Sequence, residues 1–240
     1  MKKPLNLYFD HTLLKPEARQ EDVKRLCAEA VKYGFYSVCV NSCYVETAAR
    51  ELADCGVKVA AVVGFPLGAC TAETKAFETA QACEKGAGEI DMVLAVGALK
   101  DGRDDYVRED IRAVVKAAAE AGGGVCVKVI LETCLLTDEE ILRACRLAEE
   151  GGAGFVKTST GFSSGGAEAR LVALMKEAVG GRLQVKASGG IRDLKTALEM
   201  IEAGADRIGA SASPAIMEEY ETSRTLGGDR CGNNGSRRQV

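Results

Sequence analysis

Three lysines, Lys128, Lys157 and Lys186, each follow the last by 29 residues, and each sits inside a short apolar run. The runs are Val125-Cys-Val-Lys-Val-Ile-Leu131, Gly154-Phe-Val-Lys-Thr-Ser159 and Leu183-Gln-Val-Lys-Ala-Ser188. An ammonium is costly to bury unless it is paired or gives up its proton. The interval is that of one strand-helix unit, so the spacing predicts that successive strands aim amines into one pocket. Close cations depress one another's pKa, and a neutral amine is the form that attacks carbonyl carbon. The alternative is that each lysine only snorkels along a barrel wall to a strand end. Three in register favour the pocket.

Asp91, in Gly88-Glu-Ile-Asp-Met-Val-Leu94, puts an acid into another apolar run. It reads as a counter-ion for buried lysines or as a carboxylate that moves protons, and the two roles are compatible. Glu89 shares that face two residues earlier, nearer the strand start. Asp10 is expected as a polar wall of the same pocket. Lys157 is followed by Thr158-Ser-Thr-Gly161, whose hydroxyls, Thr160 among them, and glycine suit a polar substrate. Gly189 and Gly190 follow Lys186 and precede Ile191-Arg192, and Gly209-Ala-Ser211 closes the last strand-like run. Backbone amides in such turns suit phosphate, especially where a glycine-rich turn opens a helix. The single histidine, His11, reads as structural. Cys39 reads as a packed thiol, since no histidine stands near it in the chain to activate it.

The elements that must position these groups alternate along the chain. Strand-like runs fall near 6–10, 36–40, 58–64, 89–94, 125–131, 154–158, 183–187 and 206–210, separated by helical periodicity such as Val23, Leu26, Cys27, Ala30 and Val31. Thr137 with Glu140 three residues on is a capping-box signature. Eight such repeats in 240 residues predict a single-domain α/β fold, a (β/α)8 barrel over residues 1–220. An open doubly wound sheet is the competitor, but neither Gly-x-Gly-x-x-Gly nor a Walker-type loop is present. Residues 221–240 are nearly free of apolar side chains and are expected to form a flexible tail without chemistry.

A net charge of −4 argues against nucleic acid or an anionic membrane as partner. The chain carries no run of apolar residues long enough to span a bilayer and no secretory signature, so a cytoplasmic location with reduced thiols is expected for its 10 cysteines. No Cys-x-x-Cys pair accompanies the lone histidine, so a zinc site is not expected.

Taken together, Asp10-His-Thr-Leu-Leu14, Val38-Cys-Val-Asn41, Val63-Gly-Phe-Pro-Leu-Gly68, Glu89-Ile-Asp-Met-Val93, Lys128-Val-Ile-Leu-Glu132, Phe155-Val-Lys-Thr-Ser-Thr-Gly-Phe162, Val185-Lys-Ala-Ser-Gly-Gly-Ile-Arg192 and Arg207-Ile-Gly-Ala-Ser211 resemble the deoxyribose-phosphate aldolases. The resemblance spans roughly residues 6–217. It implies a metal- and cofactor-independent, Schiff-base aldolase that interconverts 2-deoxy-D-ribose 5-phosphate with acetaldehyde and D-glyceraldehyde 3-phosphate, in deoxyribonucleotide catabolism. It further implies a possible homodimer. By motif match Lys157 resembles the Schiff-base lysine, Lys186 its pKa-depressing and proton-transferring neighbour, and Asp91 the proton-relay carboxylate. Gly161, Gly189, Gly190, Gly209 and Ser211 match phosphate-contacting positions, while Asp10, Lys128 and Thr160 are expected to face substrate. Some relatives carry a lysine near Phe162 and Ser163, so the resemblance shifts phosphate binding here toward backbone amides and Arg192.

Overall fold

The computed structural model describes residues 1–228. Parallel strands β1 (Phe9–Leu13), β2 (Ser37–Val40), β3 (Lys58–Val63), β4 (Glu89–Val93), β5 (Cys126–Ile130), β6 (Phe155–Lys157), β7 (Gln184–Ser188) and β8 (Arg207–Ala210) close in sequence order into one barrel. Helices α1 (Gln20–Tyr33), α2 (Val45–Glu51), α3 (Ala72–Glu84), α4 (Val96–Lys100), α5 (Asp104–Glu120), α6 (Asp138–Glu150), α7 (Ala169–Val179), α8 (Leu194–Glu202) and α9 (Ser213–Gly228) occupy the connections. This is the expected single-domain (β/α)8 architecture. Among the described residues no helix is long and apolar enough to cross a membrane.

The two-residue strand period decides which groups meet inside. Val127 and Val129 of β5, Val156 of β6, Val185 and Ala187 of β7, and Ile208 and Ala210 of β8 pack outward into the aliphatic layer beneath the helices. Lys128, Lys157, Lys186 and Arg207, at the alternate positions, therefore point into the barrel. Asp10, Cys39, Glu89 and Asp91 do so from β1, β2 and β4, whereas β3 offers only Ala60 and Val62 to this space.

Two boundaries differ from the sequence expectation. β1 begins at Phe9, because Leu5–Tyr8 form a 3-10 turn after Pro4 that buries Leu5 and Tyr8. The chain beyond residue 220 continues as the last turns of α9 to Gly228, with the Thr222, Ser223 and Thr225 hydroxyls donating to carbonyls three or four residues back. Lack of apolar side chains removes the drive to bury that segment without preventing it from extending a helix already docked by Ile216 and Met217. The rest of the expected tail, 229–240, lies outside the described residues. At α6 the capping box forms as its residues suggest, with Thr137 Oγ1 accepting from the Glu140 amide and Glu140 from the Thr137 amide.

Candidate active site

Asp91 is the hub of the barrel interior. Its Oδ1 accepts from Lys128 Nζ at 2.7 Å, and its Oδ2 from Lys157 Nζ and Lys186 Nζ, each at 2.7 Å. Lys186 also pairs with Asp10 at 2.5 Å, and Lys128 with Glu89 at 2.6 Å. Arg207 closes the lower end, contacting Asp10, Glu89 at 3.0 Å and Ser37 Oγ at 3.2 Å. Its guanidinium lies 3.6 Å from the centre of the Tyr36 ring. The Cys39 thiol sits 3.9 Å from Asp91 Oδ2, so it does face the barrel interior, and burial raises its pKa.

The three lysines are not equivalent. Lys157 pairs in register with Lys186, but Lys128 pairs with Phe155, two residues before Lys157, and so lies one layer deeper. A cavity of about 340 Å³ opens above them at the C-terminal ends of the strands. Its floor includes Lys157, and its walls include Thr160, Gly161, Ser188, Gly189, Gly190, Gly209 and Ser211. That size falls in the ~300–1,000 Å³ span usual for small-molecule sites. Asp10 and Lys128, expected on the pocket wall, lie instead beneath the floor, fully buried and held by Arg207, Lys186, Glu89 and Asp91. Equal sequence spacing does not make equal depth, because the strands of a barrel are staggered. Asp91 and Lys186 likewise reach the cavity only through Lys157.

Electrostatics separate the amines. Burial lowers the Lys157 pKa below the ordinary lysine value; Asp91 opposes this, and Lys186 adds to it. Desolvation is the larger cause of this lowering, and repulsion from the Lys186 ammonium is the smaller one. Burial acts to lower Lys186 as well, yet Asp10 and Asp91 hold it well above the usual range. Lys128 is raised because Asp91, Glu89 and Asp10 outweigh its burial and the repulsion from Lys186. Burial pushes Asp91 toward the neutral form, but Lys128, Lys157 and Lys186 keep it well below an ordinary carboxylate. The arrangement can hold one amine neutral at the cavity floor beside a charged ammonium and a carboxylate that are able to pass a proton.

The glycines of the cavity wall answer to geometry. A Cβ at Gly209 would stand 2.3 Å from Ser188 Oγ and 3.1 Å from Lys186 Cε. Gly189 and Gly190 have φ of 91° and 78°, the left-handed region that side chains disfavour. The turn does not run directly into a helix, however: α8 starts at Leu194, and Asp193 caps it by accepting from the Thr196 amide. The backbone of the glycine turn, rather than an open helix terminus, therefore borders the cavity.

Several functional groups escaped the sequence reading. Lys15, in the loop after β1, lines the cavity with Arg192 and supplies a second cation. Ser188 lines it too, and its buried hydroxyl has no hydrogen-bond partner among the described residues. Glu132, at φ 57°, accepts from the amide of Thr160 at 3.2 Å and from its hydroxyl, bracing the turn that carries Gly161. Position at a strand end was the available signal for all three. Phe162, which also lines the cavity, meets Phe65 edge-on at 5.2 Å. His11 points outward from β1, 2.8 Å from Glu29 and against Phe35, consistent with a structural role.

A closed parallel barrel with an amine at the foot of a strand-end cavity defines an α/β-barrel enzyme. Comparison with known proteins sharpens the class. The chain belongs to the DeoC/LacD family of aldolases, whose family model matches residues 5–219. The deoxyribose-phosphate aldolase of Clostridium tetani is 61% identical over 212 residues, covering 88% of this chain and 97% of its own length. Among solved structures, the aldolase QR15 superposes with a TM-score of 0.87 at 40% identity, covering 92% of this chain and 98% of that one. A tetrameric deoxyribose phosphate aldolase from Aeropyrum pernix gives 0.85 at 34% identity, covering 91% and 92%.

Proposed function

We propose that the protein cleaves 2-deoxy-D-ribose 5-phosphate reversibly to acetaldehyde and D-glyceraldehyde 3-phosphate through a Schiff base on Lys157. The observation that carries this reading is the placement of Lys157 alone among the barrel amines at the cavity floor, with its pKa lowered. Neutral Lys157 attacks C1 of the open-chain sugar, and loss of water from the carbinolamine leaves an iminium. Removal of the C3 hydroxyl proton breaks the C2–C3 bond, whose electrons flow into the iminium to give an enamine. Protonation of the enamine at C2 and hydrolysis release acetaldehyde and the free amine. Lys157 Nζ and Lys186 Nζ both donate to Asp91 Oδ2 at 2.7 Å, so Asp91 and Lys186 are the proposed relay for these protons. Lys15, Arg192 and the turns of Gly161, Gly189–Gly190 and Gly209–Ser211 are proposed to hold the phosphate.

The test is borohydride trapping with 2-deoxyribose 5-phosphate in the presence of EDTA, followed by peptide mapping. A two-carbon adduct on Lys157 with release of triose phosphate is expected. An adduct on another lysine, or cleavage that EDTA abolishes, refutes the assignment. The described cysteines are all free, which fits the proposed cytoplasmic setting. A homodimer remains the proposed assembly, and light scattering on the eluting protein distinguishes it from a tetramer.

A further inference from the structure

We infer that Arg207 and Glu89, at the deep end of the barrel and away from the substrate cavity, set the protonation of Lys157 through the charge balance of the barrel core, Arg207 favouring the neutral amine and Glu89 opposing it. The inference rests on the reading of Lys157 as the nucleophile. Among the described residues, four bases meet inside the barrel, Lys128, Lys157, Lys186 and Arg207, and they face three carboxylates, Asp10, Glu89 and Asp91. All seven groups are at least 97% buried. The other strands contribute Ser37 and the Cys39 thiol from β2 and apolar Ala60 and Val62 from β3. Below Arg207 lie the Tyr36 ring and half-buried Lys3, which donates to the Asp206 carbonyl at 2.9 Å.

With every buried group ionised the core would carry one uncompensated positive charge, and an unpaired buried charge is expensive. One base must release its proton. A guanidinium does not do so in proteins. Lys128 touches two carboxylates, Glu89 at 2.6 Å and Asp91 at 2.7 Å, and Lys186 touches Asp10 at 2.5 Å and Asp91 at 2.7 Å. Lys157 has only Asp91, shared with both other lysines. The least-compensated amine is thus the one beside the cavity. Arg207 supplies the fourth charge that makes the balance odd, and it does so by occupying Asp10 and Glu89. Removal of Arg207 leaves three bases for three carboxylates, so Lys157 keeps its proton. Removal of the Glu89 charge acts in the opposite direction. Both are positioning residues, acting through the lysine–carboxylate cluster.

The experiment follows reductive methylation of Lys157 by formaldehyde and cyanoborohydride against pH, read by peptide mass mapping, in the parent, Arg207→Met, Arg207→Lys, Glu89→Gln and the Arg207→Met/Glu89→Gln double variant. Arg207→Met is expected to displace the profile to higher pH by about one unit or more, roughly a tenfold slower reaction at fixed pH below the midpoint. Glu89→Gln displaces it to lower pH, Arg207→Lys leaves it in place, and the double variant returns it toward the parent. An unmoved profile in folded Arg207→Met, or a double variant no closer to the parent than Arg207→Met, overturns the inference. Should Arg207→Met fail to fold, Glu89→Gln decides alone: a profile that stays or moves upward overturns it. The readout needs no turnover. Shifts of the expected sign in a protein that traps no substrate would uphold the charge balance while removing the Schiff-base reading.

Discussion

Replacing Lys186 by methionine tests the electrostatic design of the site most directly, because methionine keeps much of the volume and loses the charge. Lys157 and Lys186 each contact Asp91 Oδ2 at 2.7 Å, so the two nitrogens stand no farther apart than about 5.4 Å. At an effective dielectric of about 20, two ammoniums at that separation repel by about 3 kcal/mol, on the order of a hundredfold in the population of neutral amine. Loss of the Lys186 charge also leaves Asp10 and Asp91 less compensated, which favours protonation of Lys157 further. Both effects have the same sign. Lys157→Lys157-H⁺ becomes easier, so the acid limb of kcat/KM moves to higher pH, and activity at pH 7 falls by about two orders of magnitude. The assay is the pH dependence of 2-deoxyribose 5-phosphate cleavage from pH 5 to 10, with borohydride trapping to verify the nucleophile in the variant. Loss of the proton donor would lower the plateau as well, and the plateau and the limb separate the two roles. A lowered plateau with an unmoved limb, in a folded variant, refutes the repulsion argument and leaves Lys186 as a proton carrier only.

Lys157→Met is expected to abolish turnover while raising the melting temperature, because burial lowers the pKa of this lysine and so penalises the folded state wherever the unfolded lysine is protonated; a fall of several degrees would contradict that. Asp10 and Asp91 are held below the ordinary carboxylate range, so the stability they contribute is fully present above about pH 4, near their unfolded pKa, and is lost as pH falls through their folded values. Urea midpoints should accordingly hold steady from pH 6 to about pH 4 and drop below it, and Asp10→Asn should flatten that fall. Gly209→Ala places a methyl 2.3 Å from Ser188 Oγ and 3.1 Å from Lys186 Cε. It should cost about 1–3 kcal/mol of stability and depress kcat more than tenfold; near-parent stability and turnover in this variant would show that the wall yields freely.

The alternation of apolar runs with helical periodicity was enough to determine the barrel, because closing eight such units buries every aliphatic face at once. Lys157, Lys186 and Asp91 were legible as a cluster for a related reason: a charged residue within an apolar strand run has few places to go other than the barrel interior. Depth was not legible. Whether Lys128 or Lys157 floors the cavity depends on strand stagger, which pairs Lys128 with Phe155 and Lys157 with Ile130, and no single strand's sequence encodes its neighbour's register. Arg207 belonged to a recognisable motif, yet its role arises only from partners 118 and 197 residues away, Glu89 and Asp10. The same holds for Glu132, whose carboxylate matters because Thr160 folds back onto it. Sequence by itself determined which kinds of groups enter the core; tertiary structure alone decided which amine lacks a second carboxylate, because that is a property of distances among strands and not of order along the chain.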